Sequence, residues 1–211
     1  MPYCTWYIVA IAGVPGSGKS TAAAAVSRHI NDIRQRQSHS EPAWAVHVPM
    51  DGFHLTREQL DNLPNPKEAH QRRGADWTFD ADQFVAAIRE IRNKGFGRYP
   101  SFDHAIGDPV KDDIEVCREH RVVLIEGNYV LLDEAPWRDI QGLVDECWFV
   151  DCDVEVAMQR VLRRQTGNGL SLEEASMRVA TNDLPNALQI AATSGRADLV
   201  LPALPLRRRE N

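Results

Sequence analysis

Five short apolar runs recur along the chain, and longer stretches with helical spacing separate them. The runs occupy residues 6–12, 44–50, 122–125, 147–150 and 199–201. Each run is apolar throughout instead of alternating with polar positions, which is typical of strands that are covered on both faces. Such strands occur in parallel α/β sheets, so the pattern predicts a doubly wound, mostly parallel five-stranded sheet flanked by helices.

Four of the intervening stretches carry helix signals at their ends. We expect helices over residues 20–33, 80–94, 154–164 and 172–180. Gly95 would close the second helix, Asp153 would cap the third, and Ser171 with Glu174 has the spacing of a capping box before the fourth. Between the last two helices, the glycines of residues 165–171 predict a mobile turn.

Two segments do not fit this alternation. Residues 63–79 and 95–112 are rich in proline, glycine, charge and aromatic side chains. Long irregular segments inside a compact domain are usually functional or disordered, and the aromatic content favours function. We therefore expect a single domain over residues 1–211, with acceptor-side loops at about 52–79 and 95–112.

Composition and charge narrow the classes of protein to which the chain could belong. Of its 211 residues, 43% are hydrophobic and 26% are charged, which suits one globular domain with a small lid. The formal net charge of −6 gives no general attraction for nucleic acid or an anionic membrane. No apolar run approaches the roughly 20 residues that span a bilayer, and the N-terminal segment lacks a basic flank. These features predict a cytoplasmic protein without nucleic-acid or membrane partners.

The four cysteines show no pattern of a metal site or of a disulfide framework. Cys4, Cys117, Cys147 and Cys152 form no CxxC pair and have no histidine at ligand spacing. We therefore expect reduced and mostly buried thiols.

The strongest motif, GVPGSGKST, spans residues 13–21 and matches the phosphate-binding pattern GxxxxGK[ST]. It follows an apolar strand and precedes an alanine-rich helix, so backbone N–H groups and a helix N-terminus would converge on a phosphate. Lys19 would reach the β- and γ-phosphates, Ser20 would bind Mg²⁺, and Thr21 would support the α-phosphate. The alternative is a glycine-rich turn with a chance Lys-Ser pair. The motif predicts a site for a purine nucleoside triphosphate, with ATP and Mg²⁺ as cofactors, formed by Gly13, Pro15, Gly16, Ser17, Gly18, Lys19, Ser20 and Thr21.

Two carboxylates follow apolar strands directly. Glu126 comes after residues 122–125, and Asp51 comes after residues 44–50. Because ligands collect beyond the carboxyl ends of parallel strands, both side chains are expected at the nucleotide crevice. Glu126 could hold Mg²⁺ through water or orient a nucleophile, or it could be a solvent-exposed acid. Asp51 could take the proton of a substrate hydroxyl and align its oxygen for in-line attack.

Five segments carry a family resemblance in this order: GVPGSGKST, MDGFH, YPSFDH, VVLIEGNYVLL and FVDCDVEVAMQRVLRR. Together they resemble the phosphoribulokinase, uridine kinase and pantothenate kinase family of P-loop small-molecule kinases, over about residues 6 to 201. Within that family, RRGADWTFD and NDLPNA are most similar to a branch often labelled as fructose-transport-system kinases or uridine kinase-like proteins. The resemblance implies a P-loop NTPase fold with a lid at about residues 164–185.

The resemblance also implies roles for particular residues. Asp51 is implied to be the catalytic base or a ligand of the substrate hydroxyl, and Glu126 the acid on the metal side. One basic helix face is implied to approach the phosphates, with its last arginine opening a lid over the nucleotide; its members are Arg160, Arg163 and Arg164. Guanidinium groups suit this role because the transferring group spreads negative charge over its equatorial oxygens. The alternative is a basic helix face in solvent.

Two positions depart from the family pattern. Family members often continue the basic helix with an Asp after the position of Arg164, whereas this chain has Gln165, so an ion pair that could anchor the lid is absent. Uridine kinases usually have a Tyr after the Asp-x-Phe triplet, whereas this chain has His54, which favours the pantothenate kinase-like side. His54 could hydrogen-bond a substrate, hydrogen-bond the Asp51 carboxylate, or pack beneath the loop.

The two irregular segments supply the remaining candidates for binding a phosphate acceptor. They combine charge, for example at Arg72 and Arg73, with flat apolar surface, which suits a sugar, a nucleoside or a carboxylated alcohol. Packing and surface charge are the alternative for both segments. Two polar residues after the lid helix could return to the acceptor or form a turn. The candidates for substrate binding are Asp51, His54, Arg73, Trp77, Tyr99, Asp103, His104, Asn182 and Asp183.

These inferences predict an ATP-dependent kinase that acts on a hydroxyl of a small metabolite. A nucleotide-dependent regulator or slow ATPase is the alternative, because a nucleotide site alone does not distinguish an enzyme from a switch. The acid at residue 51 and the two aromatic, charged segments favour the kinase, since a pure switch has no need of an acceptor site. A small-molecule substrate is then the expected partner, and a homodimer is left open by the sequence.

Overall fold

A five-stranded parallel sheet forms the centre of the computed structural model, which describes residues 6–37, 42–103 and 105–203. The strands are β1 (Tyr7–Ala12), β2 (Ala45–Pro49), β3 (Gly97–Asp103), β4 (Asp108–Val116), β5 (Val122–Glu126), β6 (Glu146–Asp151) and β7 (Leu199–Pro202). Five of them form the sheet in the order β2-β5-β1-β6-β7, and all its neighbouring pairs are parallel. The predicted doubly wound α/β fold is confirmed, and the five apolar runs are the five strands of this sheet.

The central strands are apolar because both faces of the sheet are covered. Ile8 and residues 10–12 of β1, the middle strand, and residues 123–125 of β5 are all 0% exposed. Along these strands Ile11 lies opposite Glu126, and Pro49 lies opposite the same glutamate on its other side. The carboxyl ends of β1, β2 and β5 therefore meet at one edge, where ligands of such sheets bind.

Seven α-helices lie in the described residues, and they include the four predicted ones. The helices are α1 (Lys19–Gln37), α2 (Arg57–Asp61), α3 (Pro66–Gln71), α4 (Ala81–Lys94), α5 (Val154–Gly167), α6 (Leu172–Arg178) and α7 (Leu184–Ala191). Gly95 ends α4 with a left-handed φ of 70°, and the Asp153 carboxylate accepts a hydrogen bond of 3.0 Å from the Val156 N–H at the start of α5. Over the described part of the chain, no helix is long and apolar enough to cross a membrane.

The region between α5 and α7 differs in part from the sequence prediction. The capping box before α6 is confirmed, with Ser171 and Glu174 each bonded to the other's backbone N–H. The predicted mobile turn over 165–171 is partly wrong, because α5 continues to Gly167. After α6 the chain does not stop but passes through a π-helical turn, Val179–Asp183, directly into α7.

The two irregular segments contain more regular structure than predicted. Residues 97–116 form an antiparallel hairpin of β3 and β4, so the loop prediction for 95–112 is wrong. These strands are hard to recognise in the sequence, because the hairpin is largely solvent-facing and has no apolar run of its own. The strand pattern is interrupted by Pro100, Pro109 and the charged run of β4. The segment 63–79 contains α3 and a short 3₁₀ turn, Asp76–Thr78.

Aromatic side chains pack the region of residues 53–79 against α4 and the residues that follow β5. The Phe53 ring lies 4.9 Å from Phe84 of α4, and Phe79 lies 5.8 Å from Tyr129. The Tyr129 hydroxyl donates a hydrogen bond of 2.8 Å to the carbonyl oxygen of Gly74. The acceptor-side segment is thus held on a packed aromatic core.

The cysteines that the structure describes are free thiols. Cys147 and Cys152 are buried, and Cys117 is partly buried. Burial raises the pKa of the Cys147 thiol to about 11, because a thiolate would be desolvated. The prediction of reduced, mostly buried thiols is confirmed for these three, and Cys4 lies outside the described residues.

Candidate active site

A glycine loop between β1 and α1 forms the predicted phosphate site. In this loop, residues 13–18, Gly16 and Gly18 have φ angles of 85° and 96°, in the left-handed region that side chains disfavour. A Cβ on Gly16 would also lie 2.4 Å from the carbonyl oxygen of Ala157 in α5. The loop therefore packs directly against α5, and only glycine fits at that contact.

The start of α1 adds the electrostatic part of this site. The N–H groups in the first turn of a helix have no acceptor within the helix, and the aligned peptide dipoles favour an anion there. Lys19 is the first residue of this 19-residue helix, and Ser20 and Thr21 follow it. The three residues therefore lie at the positive end of the helix dipole.

Glu126 ends β5 and is almost fully enclosed, with 3% of its surface exposed. Burial by itself raises the pKa of a carboxyl group, yet the pKa of Glu126 lies below its ordinary value. Contact with His47, the positive charge of Lys19 and the Ser20 hydroxyl outweigh burial and favour the carboxylate. The predicted alternative of a solvent-exposed acid is therefore wrong.

Ser20 and Glu126 together fit a magnesium site. A hydroxyl and a carboxylate are the hard oxygen ligands that Mg²⁺ prefers. The Oε2 atom of Glu126 is buried and has no hydrogen-bond partner among the described residues, so a cation or its water ligand would satisfy it. Residues 6–37, 42–103 and 105–203 contain no group of three or more His, Cys, Asp or Glu side chains that could hold a metal ion by themselves.

The sequence prediction missed His47 in β2. Its Nε2 atom lies 3.5 Å from Oε1 of Glu126, and 22% of its side chain is exposed. A histidine in the middle of an otherwise apolar strand, two residues before the strand ends, was the available signal. The strand pattern alone could not show that this side chain faces Glu126, because the register of β2 with β5 comes from the tertiary structure.

Asp51 lies beyond the end of β2. The strand ends at Pro49, and Asp51 lies in a 3₁₀ turn, Met50–Phe53, rather than directly after the strand. The turn is tightly held, because a Cβ on Gly52 would lie 2.0 Å from the carbonyl oxygen of Pro100 in β3. The Asp51 side chain is half-buried and makes no hydrogen bond or ion pair with the described part of the chain. It is thus available to a ligand.

His54 follows this turn and packs between two aromatic rings. Its ring lies 4.0 Å from Phe79 and 4.8 Å from Phe102, and its Nδ1 atom lies 2.8 Å from the carbonyl oxygen of Asp51. These contacts agree with packing beneath the loop, one of the three predicted alternatives. The ring also braces the backbone of the residue expected to be the base.

The arginines of α5 separate into two environments. The Arg160 guanidinium donates hydrogen bonds of 3.2 Å and 3.4 Å to the carbonyl oxygens of Gly16 and Ser17, so it supports the glycine loop from α5. Arg163 and Arg164 are exposed in the last turns of the helix. The alternative of a solvent-facing basic surface holds in this structure for the latter two only.

Comparison with known proteins identifies the family. The model of the phosphoribulokinase / uridine kinase family matches residues 8–209, nearly the whole chain. The chain belongs to the phosphoribulokinase / uridine kinase family. Proteins of this family are P-loop kinases that use ATP with Mg²⁺, and the resemblance seen in the sequence is confirmed.

Individual relatives and structures agree with the family assignment. The chain is 40% identical over 204 residues to a candidate uridine kinase of Schizosaccharomyces pombe, with 95% of this chain and 84% of that protein covered. It is 29% identical to the ATP-dependent kinase YFH7 of Saccharomyces cerevisiae, covering 83% of this chain and 59% of that protein. The crystal structure of a candidate fructose transport system kinase from a Silicibacter species has a TM-score of 0.81 and 34% identity, covering 96% and 91% of the two chains.

The position that departs from the phosphoribulokinase / uridine kinase pattern contacts the turn after α6. The Gln165 amide donates a hydrogen bond of 2.8 Å to Oδ2 of Asp183, in the π-helical turn after α6. The contact is made by a neutral amide. Burial raises the pKa of Asp183, and the bond from Gln165 opposes this effect.

Arg73 connects two acceptor-side segments of this family member. Its guanidinium donates hydrogen bonds to the carbonyl oxygens of Gly107 and Leu55, at 2.6 Å and 2.9 Å, and forms an ion pair of 2.8 Å with Asp108. Arg73 therefore holds the hairpin tip against the segment 63–79. These contacts account for the side chain without a substrate.

The other predicted acceptor residues also differ in their environments. Tyr99 is 3% exposed, and its hydroxyl lies 3.4 Å from Glu90; burial raises the pKa of this phenol strongly. Asp103 accepts hydrogen bonds from the backbone N–H groups of residues 105 and 106 and so closes the hairpin turn. Trp77 is 45% exposed and offers a free apolar face. His104 lies outside the described residues.

A broad groove lies beside the acceptor-side segments but is not the nucleotide crevice. Its volume is about 1130 Å³, and it runs between α4, α2 and the β3–β4 hairpin. His54 and Tyr99 line it, whereas the glycine loop, Asp51 and Glu126 do not.

Proposed function

We propose that this kinase transfers the γ-phosphate of ATP to a hydroxyl group of a small metabolite, with Asp51 as the general base. The observation that carries the proposal is the Asp51 side chain, half-buried and without a partner in the described chain. It lies two residues beyond Pro49, which is opposite Glu126 at the carboxyl edge of the sheet. A carboxylate in that position suits proton abstraction from an incoming hydroxyl.

The residues of the nucleotide half would hold and orient the phosphates. Backbone N–H groups of the glycine loop and the start of α1 would bind phosphate oxygens, and Lys19 would meet the β- and γ-phosphates. Mg²⁺, when bound at Ser20 and near Glu126, would neutralise charge on the phosphates. The lowered pKa of Glu126 supports this role, because the group stays ionised at neutral pH.

Two arginines of α5, Arg160 and Arg164, would have different roles in phosphate transfer. Arg160 already braces the loop through its carbonyl oxygens and would keep the phosphate cradle in shape. Arg164 is exposed, and we assign it to a lid over about residues 164–185 that would bring its guanidinium to the transferring phosphate on closure. Such a fork would stabilise the charge spread over the equatorial oxygens.

The acceptor would be a sugar, a nucleoside or a pantothenate-like alcohol. The names of the relatives point to nucleosides and sugars, through a candidate uridine kinase and a candidate fructose transport system kinase. Among the predicted acceptor residues, Trp77 offers an exposed aromatic face that could stack on a ring. Arg73, Tyr99 and Asp103 are engaged within the protein and would shape the site rather than contact the substrate.

The test is a panel of sugars, nucleosides and pantothenate-like alcohols added to the protein with ATP and Mg²⁺. At least one compound should raise ATP turnover well above the basal rate. Asp51→Asn should then lower acceptor-dependent turnover by roughly two to four orders of magnitude, as expected of a positioned general base. Asp32→Asn, an exposed aspartate of α1, is the matched control and should leave turnover unchanged.

Slow ATP hydrolysis that no acceptor stimulates would favour the nucleotide-dependent regulator instead. Full activity of Asp51→Asn with a confirmed acceptor would overturn the assignment of the base while leaving the kinase proposal in place.

A further inference from the structure

Polar side chains of the predicted lid and of the acceptor-side segment meet at one junction. We call it the lid–acceptor junction and define it by Arg72, Gln165, Asn182, Asp183 and Asn186. Two of its members, Asn182 and Asp183, are predicted substrate residues, yet the structure places them in the turn between α6 and α7. Their bonding partners come from α5, α7 and the segment 63–79, so their contacts are between elements of the protein.

Hydrogen bonds run in both directions between the segment 63–79 and the helical region that includes the turn after α6 and α7. The Arg72 guanidinium donates hydrogen bonds of 2.6 Å to the carbonyl oxygen of Thr181 and 3.0 Å to the side-chain oxygen of Asn186. In return, the Asn182 amide donates a hydrogen bond of 3.1 Å to the carbonyl oxygen of Arg73. Each element thus offers a side chain to the backbone of the other.

Burial makes these links costly to break. Asn182 is 1% exposed and Asn186 is 3% exposed, and the amide of Asn186 donates to the side-chain oxygen of Asn182 at 3.3 Å. A buried polar group that loses its partner carries the full cost of desolvation. The turn after α6 and the segment 63–79 are therefore expected to move together.

On the nucleotide side, α5 runs from the glycine loop to the junction. Arg160 bonds the carbonyl oxygens of the loop, and Gln165, five residues further along the same helix, bonds Asp183. The π-helical turn presents Asn182 and Asp183 to different neighbours, the acceptor-side segment and α5 respectively. Such turns inside helical segments are frequent at functional sites.

On the acceptor side, the link continues to the turn that carries Asp51. Arg73, the residue after Arg72, bonds the carbonyl oxygen of Leu55, and Leu55 follows His54, whose ring contacts the carbonyl oxygen of Asp51. The same guanidinium holds the hairpin tip at Asp108. A shift of the segment 63–79 would thus be felt at the proposed base.

We infer that Arg72 and Asn182 are positioning residues that transmit nucleotide occupancy, through the lid–acceptor junction, to the segment 63–79. The inference rests on the proposed function, since it gives the segment 63–79 an acceptor-side role. Nucleotide binding under the lid would order this segment before the acceptor arrives, and acceptor binding would favour the closed lid in turn.

Hydrogen exchange with a non-hydrolysable ATP analogue and Mg²⁺ tests the inference without any acceptor. The readout is a peptide over residues 70–79, where the N–H groups of Gly74, Ala75 and Thr78 are hydrogen-bonded within the segment. Saturating analogue should slow their exchange by about fivefold or more in the wild type, the lower end for coupled sites. Arg72→Gln should abolish this difference while the glycine loop remains protected by the analogue.

Arg73→Gln is the matched control, because it removes a guanidinium from the same segment but leaves the contacts with the turn after α6. It should raise exchange at the hairpin tip and retain the analogue-dependent slowing over residues 70–79. If both variants lost the analogue-dependent slowing to the same extent, the substitutions would have destabilised the segment as a whole, and the inference would be overturned. The inference would also be overturned if residues 70–79 of Arg72→Gln exchanged faster both with and without the analogue while the ratio of the two rates kept its wild-type value. That result would show a purely structural role for Arg72.

A second variant covers the case in which Arg72→Gln does not fold. Asn186→Ala removes one of the two acceptors of Arg72 together with the amide donor to Asn182, and it should reduce the analogue-dependent slowing by at least half. Two results contradict the inference. One is a folded Asn186→Ala protein whose exchange rates with and without the analogue keep the wild-type ratio. The other is a wild type in which the analogue does not slow exchange at residues 70–79. If the analogue slows exchange over residues 70–79 but the protein phosphorylates no acceptor, the inference about the junction stands and the proposed function is wrong.

Discussion

His47 and Glu126 face each other across the neighbouring strands β2 and β5, with 3.5 Å between Nε2 and Oε1. This distance is long for a hydrogen bond, and Nε2 of His47 has no other partner within the described residues. Hydrogen bonds of catalytic groups are often long in free enzymes and tighten when ligands bind. The distance leaves room for the pair to shorten to a hydrogen bond.

Removal of the His47 ring is expected to weaken Mg²⁺ binding in the presence of an ATP analogue. His47→Ala should raise the half-saturating Mg²⁺ concentration by about tenfold, since partners that orient a metal ligand typically contribute this much. His47→Gln keeps an N–H donor and should recover part of the loss. Calorimetric Mg²⁺ titration measures the effect, with His29→Ala, an exposed histidine of α1, as the control. Equal affinity of His47→Ala and wild type would contradict the assigned contact.

The lowered pKa of Glu126 predicts a specific dependence of stability on acid pH. Because the folded-state pKa lies below the ordinary value of 4.5, ionisation of this group stabilises the folded protein at pH values above 4.5. That contribution is lost as the pH falls through the folded-state pKa. The melting temperature of the wild type should therefore fall more steeply below pH 4.5 than that of Glu126→Gln. Parallel curves from thermal unfolding would show that the group titrates alike in both states.

A methyl group at Gly52 is expected to displace the turn that carries Asp51. Its Cβ would lie 2.0 Å from the carbonyl oxygen of Pro100, and backbone on both sides limits relaxation. Gly52→Ala should lower the free energy of unfolding by about 3 kcal/mol, at the upper end for overpacking. Gly142→Ala is the control, because no heavy atom lies within 4 Å of its added Cβ. Urea denaturation compares the two, and similar stabilities would refute the close approach of β3.

The ion pair between Arg73 and Asp108 should contribute measurably to stability. Their side chains are 14% and 26% exposed, and the atoms are 2.8 Å apart. Arg73→Gln should cost about 2 kcal/mol, because Asp108 keeps only the Arg57 N–H as a donor and two carbonyl oxygens lose theirs. A double-mutant cycle with Asp108→Asn isolates the pairwise part.

The exposed pair of Arg89 and Asp139 serves as the comparison for that cycle. Both side chains are 50% exposed at a distance of 3.5 Å, so the same cycle should give no more than about 0.5 kcal/mol. A coupling energy for Arg73 and Asp108 as small as this one would show that the hairpin tip is held by other contacts.

The predicted elements that succeeded have local causes. The central strands β1 and β5 are buried on both faces, so each is a continuous apolar run that is visible without its neighbours. The glycine loop needs left-handed backbone at Gly16 and Gly18, and that need leaves a spaced glycine pattern. The hairpin of β3 and β4 was missed because strands that face solvent carry charge and proline without harm to a core.

The candidate site likewise contains residues that a local sequence pattern indicates and residues that only tertiary contacts bring together. The sequence by itself predicted the phosphate loop, the acid at the end of β5, the acid beyond β2 and the apolar strands of the sheet, because these depend on local hydrophobic patterns and backbone conformation. Only the tertiary structure decided that His47 faces Glu126, that Arg73 closes the hairpin tip, and that Gln165 anchors the turn at Asp183. Those partners lie far apart along the chain, and the choice among many polar neighbours is made by packing, which no local pattern encodes.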